Sequence, residues 1–152
     1  MQSVCMGGTF DVIHLGHRVL LEKALDIADF VIIGLTTDKR ARQGRKKVDI
    51  TPYFQRELHL QNWLKEKGFS NRVEIVPLDD NWGPAAVESK IEGIVVSKEK
   101  EPIAHKLNRF RNEKSIPEIE VIVVPMVKAY DGNRISSSRI RNKEIDLDGF
   151  KT

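Results

Sequence analysis

One segment constrains this chain more than any other. A short apolar stretch, Val4-Cys5-Met6, runs into a glycine turn and then into a helix start that carries two histidines: Gly7-Gly8-Thr9-Phe10-Asp11-Val12-Ile13-His14-Leu15-Gly16-His17. Glycine lets a backbone come close to an anion. A helix N-terminus adds unpaired N–H groups and the positive end of its dipole. His14 and His17 are three residues apart and share a helix face, and an imidazole can donate to a phosphate oxygen in either charge state. Taken alone, the pair also suits two surface histidines. The segment is no P-loop, which needs Gly-Lys-Ser/Thr, and no dinucleotide fingerprint, which needs three glycines without a histidine between them.

The alternation of strand and helix continues along the chain. Strands are expected at 4–6, 30–35, 73–78, 94–97 and 121–126, and helices over 17–29, 51–67, 84–91, 102–114 and 136–145. The run from Phe30 to Leu35 is apolar throughout, as in a strand buried on both faces. Thr51-Pro52 reads as an N-cap followed by proline at the first helical position. Such alternation implies an α/β fold, a doubly wound parallel sheet with helices on both faces and right-handed crossovers. Ligands in such sheets sit at the carboxyl ends of strands, where the strand order reverses. A chain of 152 residues is expected to be one domain, 1–152.

A second segment stands near the other end: Ile135-Ser136-Ser137-Ser138-Arg139-Ile140-Arg141. Serines are favoured at any helix start. The same hydroxyls and free N–H groups also make a nest for phosphates. The net charge of +3 is a mild bias that suits polyanionic substrates. Cations concentrate in Lys39-Arg40-Ala41-Arg42-Gln43-Gly44-Arg45-Lys46-Lys47, which contains no acid and leaves the second strand on the ligand side. No aromatic residue interleaves with these cations, which argues against a single-strand nucleic-acid platform. The single cysteine, Cys5, forms no intrachain disulfide and reads as a small buried hydrophobe. No apolar run approaches a membrane span and no leader is recognisable, so a cytoplasmic location without a membrane partner is expected. No His/Cys cluster suggests zinc, and neither a covalent nucleophile nor a pair of catalytic carboxylates stands out.

The two end segments together resemble the GTFDxxHxGH and ISSTxxR signatures of the nucleotidylyltransferase superfamily, with Ser138 in place of Thr. Three further segments resemble the phosphopantetheine adenylyltransferases of archaea and eukaryotes: Leu78-Asp79-Asp80-Asn81-Trp82-Gly83-Pro84-Ala85, Val95-Val96-Ser97-Lys98-Glu99 and Leu107-Asn108-Arg109-Phe110-Arg111. The likeness runs from Val4 to about Asn142. It implies a five-stranded Rossmann-like sheet in the order 3-2-1-4-5. It also implies adenylyl transfer from ATP, with its Mg²⁺, to 4′-phosphopantetheine, the penultimate step of coenzyme A synthesis. Other acceptors (flavin mononucleotide, nicotinamide mononucleotide, a phosphorylated alcohol) remain open. A nucleotide sensor and a nucleic-acid-binding protein stand as readings of another class.

By the same resemblance, His17 binds the α-phosphate as charge builds, His14 assists, and Gly8, Thr9, Phe10 and Gly16 meet ATP, with Thr9 also reaching the acceptor. Ile135, Ser136, Ser137, Ser138 and Arg141 receive the β- and γ-phosphates. Ser97, Asn108 and Arg111 contact adenine, ribose or phosphate. Lys39 is the first choice and Lys47 the second for the lysine on the acceptor phosphate. Asp79 and Trp82 follow the third strand toward the acceptor, and Trp82 either packs or walls the pantetheine channel. Asp11 reads as structural, since an acid beside a triphosphate repels it. No resident metal site is expected, and the monomer is favoured.

Overall fold

The computed structural model describes residues 1–43, 50–86 and 88–152. Five strands, β1 (Ser3–Gly8), β2 (Phe30–Thr36), β3 (Val73–Leu78), β4 (Gly93–Ser97) and β5 (Glu120–Val124), form one sheet in the order β3-β2-β1-β4-β5. Every pairing is parallel. Successive side chains of a strand point to opposite faces, and the core divides accordingly. Val4, Met6, Val31, Ile33 and Leu35 face one side, against Leu21, Ala24 and Leu25 of α1 (Leu15–Ile27) and Leu60 and Leu64 of α3 (Tyr53–Glu66). Cys5, Ile32 and Ile94 face the other, against Ala104 and Leu107 of α4 (Glu101–Glu113). The sheet is thus doubly wound, with helices on both faces, in the expected order. Cys5 is buried, and burial pushes its thiol up to about 12.

The short elements depart from expectation for identifiable reasons. Residues 38–42 form a helix, α2 (Asp38–Arg42), because the Thr37 hydroxyl accepts from the Arg40 N–H. The helix expected over 84–91 shrinks to a 3₁₀ turn at Gly83–Ala86. Asp80 Oδ1 takes the Trp82 and Gly83 N–H groups, and Arg111 takes the Ala85 and Glu88 carbonyls, which a helix would need for its own ladder. The last helix, α5 (Ser137–Arg141), stops four residues short of 145. Lys143 turns at φ +60, and Ile145 joins Ala129 and Ile135 in a small third core. β5 ends before Pro125, which has no N–H for the ladder.

Candidate active site

The reversal of strand order lies between β1 and β4. Cys5 pairs with Ile94, so the same register count brings Gly8 level with Ser97 at the carboxyl edge. On the other side Thr36 pairs with Leu78, which sets Thr37 beside Asp79. The structure therefore gathers the glycine turn, the start of α2 and the loops after β3 and β4 along one edge.

The turn is held tightly. Phe10 is in the left-handed region, at φ 49, and buried. A Cβ on Gly8 would stand 2.9 Å from the Phe10 ring. His14 is the N-cap of α1: its Nδ1 accepts from the Gly16 N–H at 3.1 Å, while its own N–H points to His17 Nδ1 at 3.4 Å. A Cβ at Gly16 would lie 2.9 Å from His14 Cε1, so any larger residue there would displace the capping ring. The two imidazoles stack at 3.9 Å between centroids, with Phe10 beside His17 at 4.7 Å.

A nitrogen that accepts carries no proton, so the cap bond from Gly16 leaves the His14 proton on Nε2. Burial, then the charges of Arg134 and Arg18, lower His14 to about 4. Burial and then the neighbouring His14 lower His17 to about 3, against the pull of the Val12 carbonyl. At neutral pH both imidazoles are neutral, and each keeps one ring N–H. No sequence motif includes Arg18 or Arg134. Arg18 is anchored by the Leu147 carbonyl and Asp148, Arg134 by Glu99. Their charges make the surroundings of His14 hospitable to an anion.

The serine segment caps α5: Ser136 Oγ accepts from the Arg139 N–H. Ser136 and Ser137 are half-buried and Ser138 is exposed. Arg141 pairs with buried Asp11, so the second segment is tied directly to the glycine turn. Arg139 is committed to Asp131 and the Arg134 carbonyl. Ile135 departs from expectation: its side chain belongs to the third core and does not line the crevice.

Asn108 and Arg111 need the same correction. Asn108 exchanges two hydrogen bonds with the backbone of Ile119, both at 2.8 Å. Arg111 is fully buried and donates to the carbonyls of Pro117, Ala85 and Glu88. Their polar groups secure the fold around α4, which leaves Ser97 as the member of that set at the carboxyl edge.

On the acceptor side, Lys39 is exposed and makes no hydrogen bond or ion pair among the described residues. Lys47 lies outside the described residues. Asp79 accepts from the Thr37 hydroxyl at 2.6 Å and so braces the cap of α2. Trp82 donates from Nε1 to the Ile103 carbonyl and packs on Phe110, while lining a cavity of about 30 Å³ with Leu78, Asn81, Gly7 and Gly34. It packs and lines at once. Arg56 was missed altogether. It is fully buried and reaches the Thr9 carbonyl. The signal was present in the sequence, for Arg56 stands on the same helical stripe as Leu60 and Leu64, where a cation is out of place unless paired.

Comparison with known proteins identifies the family. The cytidylyltransferase-like family model matches residues 5–143. The phosphopantetheine adenylyltransferase of Methanopyrus kandleri is 43% identical over 145 residues, which is 95% of this chain and 91% of that one. Its counterpart from Methanothermobacter thermautotrophicus is 41% identical over 143 residues, 94% of this chain and 85% of that one. A solved structure of an Archaeoglobus fulgidus protein of unknown function superposes with a TM-score of 0.71 at 27% identity, covering 90% of this chain and 100% of that one. With a family model across nearly its whole length and such relatives beside it, the chain belongs to the cytidylyltransferase-like nucleotidyltransferases, in the phosphopantetheine adenylyltransferase branch.

Proposed function

We propose that this protein transfers the adenylyl group of ATP to 4′-phosphopantetheine, giving dephospho-coenzyme A and pyrophosphate in the cytoplasm, as a monomer. The observation that carries the reaction type is the stacked His14–His17 pair, two neutral N–H donors at a helix N-terminus with Arg18 and Arg134 nearby. The acceptor follows from the relatives, whose shared name is phosphopantetheine adenylyltransferase.

An oxygen of the acceptor phosphate attacks the α-phosphorus of ATP; the bond to the bridging oxygen breaks, and pyrophosphate leaves with the electron pair. A phosphate monoester is largely dianionic near neutral pH, its second pKa being about 6. It therefore needs no general base. What remains is to place two polyanions together and to stabilise the extra charge as it develops. A ring N–H of His17 serves the α-phosphate and His14 Nε2–H assists. Neutral donors do this without a proton being lost or gained. Lys39 is the cation for the acceptor phosphate and the transferred group. Ser136, Ser137, Ser138 and Arg141 serve the β- and γ-phosphates, and Arg141 exchanges some of its contact with Asp11 for the ligand. Mg²⁺ comes as part of the ATP substrate. Among the described residues no three of His, Cys, Asp and Glu are grouped to hold a metal, and no helix is long and apolar enough to cross a membrane.

The test is pyrophosphate release from ATP with a panel of acceptors: 4′-phosphopantetheine, flavin mononucleotide, nicotinamide mononucleotide and glycerol phosphate. Release with 4′-phosphopantetheine well above the others is expected. Release only with another acceptor would reassign the substrate, and none with any would remove the enzymatic reading.

A further inference from the structure

We propose that Arg56 is a positioning residue for the transfer, a buried fork that fixes the start of α2, with Lys39, against the glycine turn. The proposal rests on the nucleotidyl-transfer reading of the site. Arg56 reaches four separate pieces of chain. Nε donates to the Thr51 carbonyl at 2.6 Å. Nη1 donates to the carbonyls of Thr9 at 2.9 Å and Thr36 at 2.8 Å. Nη2 donates to Asp38 Oδ1 at 2.9 Å. These acceptors belong to the entry of α3, the glycine turn, the end of β2 and the start of α2.

Asp38, next to Lys39 at the start of α2, is held by the fork, and so is Thr51 at the entry of α3. Each of the two has a second tie. Asp38 Oδ1 also accepts from the Tyr53 N–H at 3.0 Å, and the Thr51 N–H donates to Asp11 Oδ1 at 2.8 Å. Asp11 in turn holds Arg141. One hydrogen-bonded network therefore connects the turn before the histidines, the segment that bears Lys39 and the arginine of the serine segment. Direct transfer between two bound anions depends on where these three pieces stand, and a misplacement of about 1 Å costs on the order of 10²-fold in rate.

Two other arginines provide the contrast. Arg72 donates to the carbonyls of Ala28 and Asp29 at the opposite edge of the sheet. Arg111 clamps carbonyls around α4. Both secure scaffold and neither holds a carboxylate. Arg56 has the same clamp chemistry, but its partners are Thr9 of the signature turn and the carboxylate next to Lys39. A planar guanidinium supplies donors in a fixed fork, which lysine does not reproduce.

The experiment compares wild type, Arg56→Lys, Asp38→Asn and, as the scaffold control, Arg72→Gln. Turnover is measured with ATP and 4′-phosphopantetheine varied in turn, active sites are counted by ATP titration, and melting temperature is recorded. Asp38→Asn keeps the shape and lies at a half-exposed position, so it remains informative if Arg56→Lys does not fold. The expected result is a fall in kcat per active site of about 10–100-fold in Arg56→Lys and Asp38→Asn, with ATP affinity within about threefold of wild type. Arg72→Gln is expected to melt earlier and turn over normally. Adding Lys39→Ala to Asp38→Asn should cost less than the product of the two single losses, because both act through the same lysine. Wild-type kcat in Asp38→Asn, or losses that merely track melting temperature across all variants, would overturn the proposal alone. A wild type without turnover would overturn the reading of the reaction and the proposal with it.

Discussion

His14 does two things at once. It caps its own helix through Nδ1, and by doing so it leaves its proton on Nε2; its N–H points to His17 Nδ1. Both rings stay neutral because they are buried, His14 beside cations and His17 beside His14. In ¹⁵N spectra His14 should show the Nε2–H tautomer, and neither imidazole should titrate between pH 8 and pH 5; a protonation step in that range would contradict the assignment. The sign for stability follows. An unfolded histidine protonates near 6.5, whereas the folded pair does so only near 4 and 3. Below pH 6.5 the unfolded chain therefore binds more protons, so the melting temperature should fall between pH 7 and pH 4, and less steeply in His14→Gln. His17→Ala should lower turnover by roughly 10²–10³-fold, the scale for one oxyanion-type donor. ATP affinity should change far less, because the contact strengthens as charge develops. Near-normal turnover would remove His17 from the chemistry.

The elements separate by how locally they are specified. The five strands and α1, α3 and α4 were legible because apolar periodicity runs through them, and the two end segments were legible as motifs. The short pieces were not. Residues 84–91 look helical until Arg111, far away in sequence, takes their carbonyls, and 142–145 leave α5 because Ile145 has a core to join. Asn108 and Arg111 occupy a stretch that resembles nucleotide-binding sequence, yet their partners are backbone groups that no local pattern reveals. Within α2, neutralising Lys39 should weaken use of the acceptor more than binding of ATP, as steady-state kinetics with each substrate varied would show. A silent Lys39→Ala beside a damaging Lys47→Ala would move the role to Lys47. For α5, Arg141→Ala should weaken ATP and pyrophosphate by about 1.5–3 kcal/mol, the range for hydrogen bonds to charged groups. Calorimetric titration should show AMP barely affected, since it lacks the outer phosphates. An equal loss for AMP would place Arg141 at the adenosine or the α-phosphate.

Across the whole molecule, the sheet has a working edge and a structural edge. The carboxyl ends of β1, β2, β3 and β4 gather the histidines, α2, Asp79 and Ser97, whereas the opposite ends are closed by Arg72 on the carbonyls at the end of α1. The working edge supplies donors and cations, and nothing there calls for a covalent relay. The proposed mechanism is accordingly one displacement, with acceptor and nucleotide bound together. Its most direct test is the stereochemical course at the α-phosphorus, followed with an ATP analogue made chiral there by a single sulfur, 4′-phosphopantetheine as acceptor and ³¹P analysis of the product. Inversion of configuration is the outcome that one in-line displacement requires. Retention would mean two displacements through a nucleotidylated side chain, and would contradict the non-covalent clamp assigned to His14, His17 and their surrounding cations.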